Sequence, residues 1–196
     1  MLATAASKPF DRPGWIFELK YDGFRALAYI EDRACRLVSR NGNVYRSFAA
    51  LAQQLAGVVP GAAILDGEIV CLDAAGAPQF YELMRRRQPQ CFAAFDLLWH
   101  EGEDLRERAL LERKRRLREL VPAGGPALYV DHIAGEGTAL FRSICAGDLE
   151  GIVAKRADGR YTPEATSWVK IRNPNYSQWD GRRELFDRKR ARRATA

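Results

Sequence analysis

The sequence predicts an α+β fold of antiparallel sheets, and three observations carry that expectation. Apolar and polar residues alternate in several short segments, as in half-buried strands. These segments come in hairpin-like clusters with helical stretches between them, not in the strict strand–helix alternation of a parallel sheet. At 196 residues the chain has the length of one domain, enough to bury roughly 70% of its unfolded surface.

The elements follow in order. Residues 1–7 are expected as a disordered, frayed start. Over residues 15–22, Phe17, Leu19 and Tyr21 fall on one face of a strand and Glu18, Lys20 and Asp22 on the other. Gly23 interrupts it, and Phe24–Ile30 with Cys35–Ser39 continues as a hairpin. A helix is expected over Ser47–Ala56, where Phe48, Leu51 and Leu55 form one stripe and Gly57 closes it. Ala63–Leu72 and Cys91–Trp99 read as strands; Phe80–Arg87, Glu107–Val121 and Thr138–Ala146 read as helices. Two short strands at Gly151–Lys155 and Ser167–Ile171 complete the pattern. The globular domain is expected over residues 8–176, followed by a basic tail over 177–196.

Composition narrows the function classes. With 47% hydrophobic and 29% charged residues, collagen-like, disordered and coiled-coil chains are excluded. No apolar run approaches the ~18 residues of a membrane span, and the start does not read as a secretory signal. Cys35, Cys71, Cys91 and Cys145 are not spaced as a metal or redox pair, and only His100 and His132 accompany them. Buried, reduced thiols in a cytoplasmic protein with no membrane attachment are therefore expected. The net charge of +6 leans toward polyanions. Its densest cluster is Arg182, Arg183, Arg188, Lys189, Arg190, Arg192 and Arg193, a phosphate-contacting or merely solubilising tail.

Several apolar strands carry isolated charges beside glycine. Lys20 stands between Glu18 and Asp22, with Gly23 and Arg25 following. By itself that row fits a surface ion-pair ladder of little energetic weight. Leu65-Asp66-Gly67-Glu68-Ile69 places two carboxylates on one face of a buried strand, and Glu150-Gly151-Ile152-Val153-Ala154-Lys155 begins and ends in charge. Trp168, Lys170 and Arg172 share one side of their strand, and Ser39-Arg40-Asn41-Gly42 forms an arginine-bearing turn. Unpaired buried charges are costly. A cleft that binds polyphosphate and a divalent cation removes the difficulty, because cations then meet phosphate and carboxylates meet metal.

Lys20-Tyr21-Asp22-Gly23-Phe24-Arg25 resembles the K-x-D-G-x-R signature of covalent nucleotidyltransferases: ATP-dependent DNA ligases, RNA ligases and mRNA capping enzymes. Five further segments follow in that superfamily's order. They are Ser39–Gly42, Leu65–Ile69, the aromatic segment Phe92–Trp99, Glu150–Lys155 and Trp168–Arg172. Their wording is most similar to the ligase domain of bacterial multifunctional end-joining DNA ligases. The resemblance implies a nucleotidyltransferase fold of two antiparallel sheets flanked by helices. Only 23 residues follow Asn173 (196 − 173), too few for the OB-fold domain that family ligases add, so that domain is expected to be absent.

The resemblance also implies roles. Lys20 would attack the α-phosphate of ATP and hold AMP as a phosphoramidate. Glu18 would meet the adenine or ribose edge, Arg25 and Arg40 ribose or phosphate oxygens, and Phe95 the adenine face. Glu68 and Glu150 would hold Mg²⁺ or Mn²⁺, and Glu68 would also line the nucleotide site. Lys155, Lys170 and Arg172 would offset charge on the α-phosphate. Arg172 stands where the family pattern has lysine, which changes the phosphate geometry. The implied substrate is nicked double-stranded DNA, sealed weakly without an OB domain, in a bacterial, nucleoid-associated setting. An end-binding protein, a primase-polymerase or an OB-domain protein in trans are the partners to seek. RNA ligase, capping-type nucleotidyltransferase and a non-sealing nucleotide- or DNA-binding module stand as alternatives.

Overall fold

A computed structural model describes residues 3–163 and 167–179. In chain order the strands are β1 (Ala3–Ala6), β2 (Asp11–Leu19), β3 (Phe24–Glu31), β4 (Ala34–Ser39), β5 (Ala63–Cys71), β6 (Gln90–His100), β7 (Glu103–Asp104), β8 (Ala127–Tyr129), β9 (His132–Glu136), β10 (Gly151–Arg156) and β11 (Trp168–Arg172). The helices are α1 (Ala49–Val58), α2 (Phe80–Arg85), α3 (Leu110–Leu120) and α4 (Gly137–Ala146).

The strands form two sheets, ordered β1-β11-β10-β2-β9 and β4-β3-β5-β6-β7, with β8 added against β6. Pairing is antiparallel except for β1 on β11 and β8 on β6. The α+β expectation holds, with two parallel pairs that the sequence pattern did not reveal. Residues Ala3–Ala6, read as part of a frayed start, instead make an edge strand in register with Trp168–Ile171. Backbone hydrogen bonds to an edge, not a side-chain pattern, decide such a strand.

Period-two alternation sorts each strand into two faces. In the first sheet Phe17, Ile152, Ala154 and Ile171 are buried together with Ile144 of α4. In the second, Ala26, Ala28, Leu65 and Phe92 form the main core with Leu51 and Leu55 of α1 and Leu117 of α3. The remaining faces meet each other: Leu98, Tyr161 and Trp168 form a third buried cluster that packs Leu27, Ile64, Phe95 and Val153.

Two expectations about the first strand change. It ends at Leu19, so Lys20 and Asp22 do not continue an outward-facing row. Glu18 and Asp22 are each only 2% exposed, so the row is no surface ladder. The strand stops because Gly23 must approach β5 closely: a Cβ there would lie 2.1 Å from the Ile69 carbonyl oxygen, a fit open only to glycine. Beyond Tyr176 the described chain continues in contact with the domain, Gln178 accepting a hydrogen bond from the Phe80 amide at 2.9 Å. The basic cluster between Arg182 and Arg193 lies outside the described residues.

Candidate active site

Lys20 follows β2 directly, its amide donating to the Gly151 carbonyl at 2.9 Å. Its Nζ meets Glu150 Oε2 at 2.5 Å, with the Lys20 side chain 20% exposed and Glu150 3%. The approach of these loops depends on Gly151. It adopts φ +144°, and a Cβ would fall 2.2 Å from the Ile171 carbonyl oxygen. Any other residue would push β10 from β11 and carry Glu150 away.

Strand register brings in the rest. Glu18 pairs with Val153 across β2 and β10, and Val153 with Lys170 across β10 and β11. Gly151 faces Arg172. In the opposite sheet Arg25 stands across from Glu68. Among the described residues Lys170 has no ion pair, and Arg172 stacks on Trp179, its guanidinium 4.9 Å from the ring centre.

Burial pushes the Glu68 carboxyl up to about 8, with Glu150 and Asp66 adding to the rise and Lys20 and Arg25 opposing it. Its residue surface is only partly covered, yet its carboxyl is set deep enough for desolvation to dominate. A carboxyl so reluctant to ionise, beside Glu150, fits a hard divalent cation, which would repay its charge. Among the described residues no group of three or more acidic, cysteine or histidine side chains is arranged to hold a metal. Protein donors would therefore be Glu68 and Glu150, completed by water or phosphate oxygens.

Deeper between the sheets the charges are matched. Glu18 meets Lys114 of α3 at 2.6 Å and Lys155 at 2.5 Å, and all three are buried. Lys114 also donates to the Val130 carbonyl at 2.8 Å. Lys155 Nζ lies 4.4 Å from the Phe95 ring centre and 4.1 Å from that of Trp168, in the corner between two edge-on rings, with a cation–π contact to each. Burial holds this ammonium below the ordinary lysine range, with Glu18 opposing. Arg25 grips Asp66 through two hydrogen bonds of 3.0 and 2.6 Å, and Tyr161 donates to the same carboxylate at 2.8 Å. Arg113 of α3 grips Asp96 at 2.7 and 2.9 Å.

The structure thus brings Lys20, Glu68, Glu150 and Arg25 together. It places Glu18 and Lys155 on one another, with Phe95 packed edge-on against Trp168 at 5.6 Å. A register shift between β5 and β6 falls at Phe95, a bulge that re-aims this side chain. Arg40 is exposed and lines a cleft of about 760 Å³ with Arg25, Asp66, Trp99 and Tyr161. Lys20, Glu68 and Phe95 are not in its wall. Arg113, Lys114 and Tyr161 were not singled out from sequence. Only the first two left a signal, as charges inside the apolar stripe of α3.

Residues 1–172 match the model of the ATP-dependent DNA ligase domain. The chain is 36% identical over 180 residues to the multifunctional non-homologous end joining protein LigD of Pseudomonas aeruginosa, covering 87% of this chain and 21% of that protein. It is 28% identical over 186 residues to the SPbeta prophage-derived DNA ligase-like protein LigB of Bacillus subtilis, covering 91% and 68%. Among solved structures, the ligase domain of Mycobacterium tuberculosis LigD superposes with a TM-score of 0.70 at 31% identity, over 87% of this chain and 58% of that one. A mycobacterial DNA ligase D complexed with ATP and MES gives 0.68 at 32%. The chain spans about a fifth of the length of the LigD proteins.

Proposed function

Because the chain belongs to the ATP-dependent DNA ligase domain family, we propose that it is a nucleotidyl-transfer core that adenylates itself on Lys20 and passes AMP to nicked DNA. The amine of Lys20 attacks the α-phosphorus of ATP; the P–N bond forms as the bond to pyrophosphate breaks, and the amine loses a proton. The 5′-phosphate of a nick then displaces Lys20 to give a DNA-adenylate. The 3′-hydroxyl attacks that species, releasing AMP and closing the strand. The observation that carries this reading is the Lys20–Glu150 pair, partly open to solvent and adjoined by Glu68 and Arg25.

The other residues support these steps by charge. Glu18 is held by Lys114 as well as Lys155, so Lys155 is free to turn toward phosphate without stranding a buried carboxylate. Lys170 and Arg172 supply further positive charge to a five-coordinate phosphorus. Arg25 and Arg40 meet ribose or phosphate oxygens, and Phe95 with Glu18 bounds the base. Glu68 and Glu150 would hold Mg²⁺ or Mn²⁺, which shields phosphate charge when bound. The basic residues between Arg182 and Arg193 add sequence-independent phosphate contacts. Deleting residues 182–196 would lower nicked-DNA affinity and flatten its salt dependence.

The proposed setting is bacterial end-joining repair, near the nucleoid, with an end-binding protein, a primase-polymerase or an OB-domain protein as partner. Among the described residues no helix is long and apolar enough to cross a membrane. The test is incubation with labelled ATP or GTP and Mg²⁺, followed by a chase with nicked duplex. Label on Lys20 from ATP, lost to DNA in the chase, is the expected result. No label from either nucleotide would overturn the reading. Label that remains on the protein would favour a non-sealing module.

A further inference from the structure

The nucleophile loop and the Glu150 loop are tied by a segment that lies beyond the last charged strand and belongs to neither loop. Asn173 follows β11 and is buried. Its amide donates to the Glu150 carbonyl at 2.9 Å and its Nδ2 to the Leu149 carbonyl at 3.1 Å. Its Oδ1 accepts the Asn175 amide at 3.0 Å, closing a turn. That turn delivers Tyr176 into the interior, where its hydroxyl donates to Asp22 Oδ2 at 3.2 Å. Ser177 then donates to Asp148, its amide at 2.9 Å and its hydroxyl by a second hydrogen bond. Gln178 bonds both the Phe80 amide and the Pro78 carbonyl, at 2.9 and 2.8 Å.

One short stretch thus anchors residue 22, residues 148–150 and residues 78–80. Lys20 and Glu150 lie in or beside the first two of these anchored places. Their 2.5 Å contact and the bond from the Lys20 amide to the Gly151 carbonyl at 2.9 Å bring the two loops together. The hydroxyl of Tyr176 is the direct hydrogen bond from this segment to the loop carrying Lys20. Asn173 performs the same service for Glu150.

Resting on the reading of Lys20 as the adenylated residue, we propose that Tyr176 is a positioning residue, which through Asp22 holds the Lys20 loop against the Glu150 loop that Asn173 secures. A misplacement of about 1 Å at a reacting group costs up to about 100-fold in rate, so loss of this hydroxyl is felt in the chemical step. Tyr176 also packs edge-on against Trp179 at 5.9 Å, the ring on which Arg172 stacks. Tyr176→Phe keeps that ring contact and removes only the hydroxyl that reaches Asp22.

The test uses the full chain with Tyr176→Phe, which removes one oxygen and keeps the ring, and Asn173→Ala as a second variant. Single-turnover adenylation with labelled ATP is measured well below the melting temperature. In Tyr176→Phe the rate at saturating ATP is expected to fall about 10-fold, with half-saturation unchanged within twofold. In an Asp22→Ala background the same change is expected to add nothing. Hydrogen exchange without ATP is the independent readout: amides of residues 20–23 are expected to exchange faster in Tyr176→Phe, and those of 149–151 in Asn173→Ala. An unchanged saturating rate, a loss confined to half-saturation, or unchanged exchange would each overturn the proposal. A wild-type chain inert toward ATP, with the variants loosening as stated, would overturn the adenylation reading alone and leave the tie standing.

Discussion

Two charged regions lie between the sheets, and they treat their charges in opposite ways. In the deeper one, Lys114 and Lys155 hold Glu18, and Arg113 holds Asp96, at 2.5–2.9 Å. Around Lys20 the matching is partial: Lys20 pairs with buried Glu150 but keeps its side chain 20% exposed, burial raises the Glu68 carboxyl, and Lys170 has no ion pair among the described residues. The comparison separates two uses of buried charge. Matched pairs join neighbouring strands of one sheet or tie α3 to a strand. The partly matched groups leave charge that a phosphate or a cation would balance.

The largest contrast comes from removing one member of each region. Lys20→Arg is expected to remove the amine nucleophile and abolish AMP label on the intact protein, read by mass, while keeping a cation beside buried Glu150 and so leaving the melting transition within a few degrees. Arg113→Met is expected to cost about 3–5 kcal/mol in a urea titration, because it leaves Asp96 buried and uncompensated. Equal destabilisation by both variants would erase the distinction between the regions.

Glu68 sharpens it through pH. Its carboxyl rises from the ordinary 4.5 to about 8, chiefly through burial, so the folded chain keeps a proton that the unfolded chain releases. This contribution is full below about pH 4.5 and is lost as pH rises through about 8. In metal-free protein Glu68→Gln is expected to remove a stability slope of up to about 1.4 kcal/mol per pH unit inside that window. A variant that melts in parallel with wild type from pH 5 to 8 would count against a proton-binding Glu68. The smallest effect is expected at the surface, where Arg106 pairs with Asp104 and both are half exposed. Arg106→Ala should cost about 0–1 kcal/mol, and a loss rivalling that of Arg113→Met would show that burial is not what separates the pairs.

The strands that carry the chemistry were legible because their apolar periodicity and their glycines are local properties. Gly23 and Gly151 announce close approaches, and the structure supplies backbone oxygens at 2.1 and 2.2 Å from where a Cβ would stand. The helices came within a few residues of their observed ends for the same reason. Short strands such as β1, β7 and β8 were not legible, since a handful of residues carries no period.

What the sequence by itself determined is the run of the longer strands and helices, the segments that carry isolated charges, and the family resemblance that names Lys20. Which charges are matched was decided by tertiary structure alone. Glu18 looked like one rung of a surface ladder until α3 brought Lys114 and β10 brought Lys155 to it. Asp22 gained Tyr176 from 154 residues away. Periodicity reports the environment along one segment, whereas an ion pair is a distance between two segments. That distance exists only once the sheets have packed.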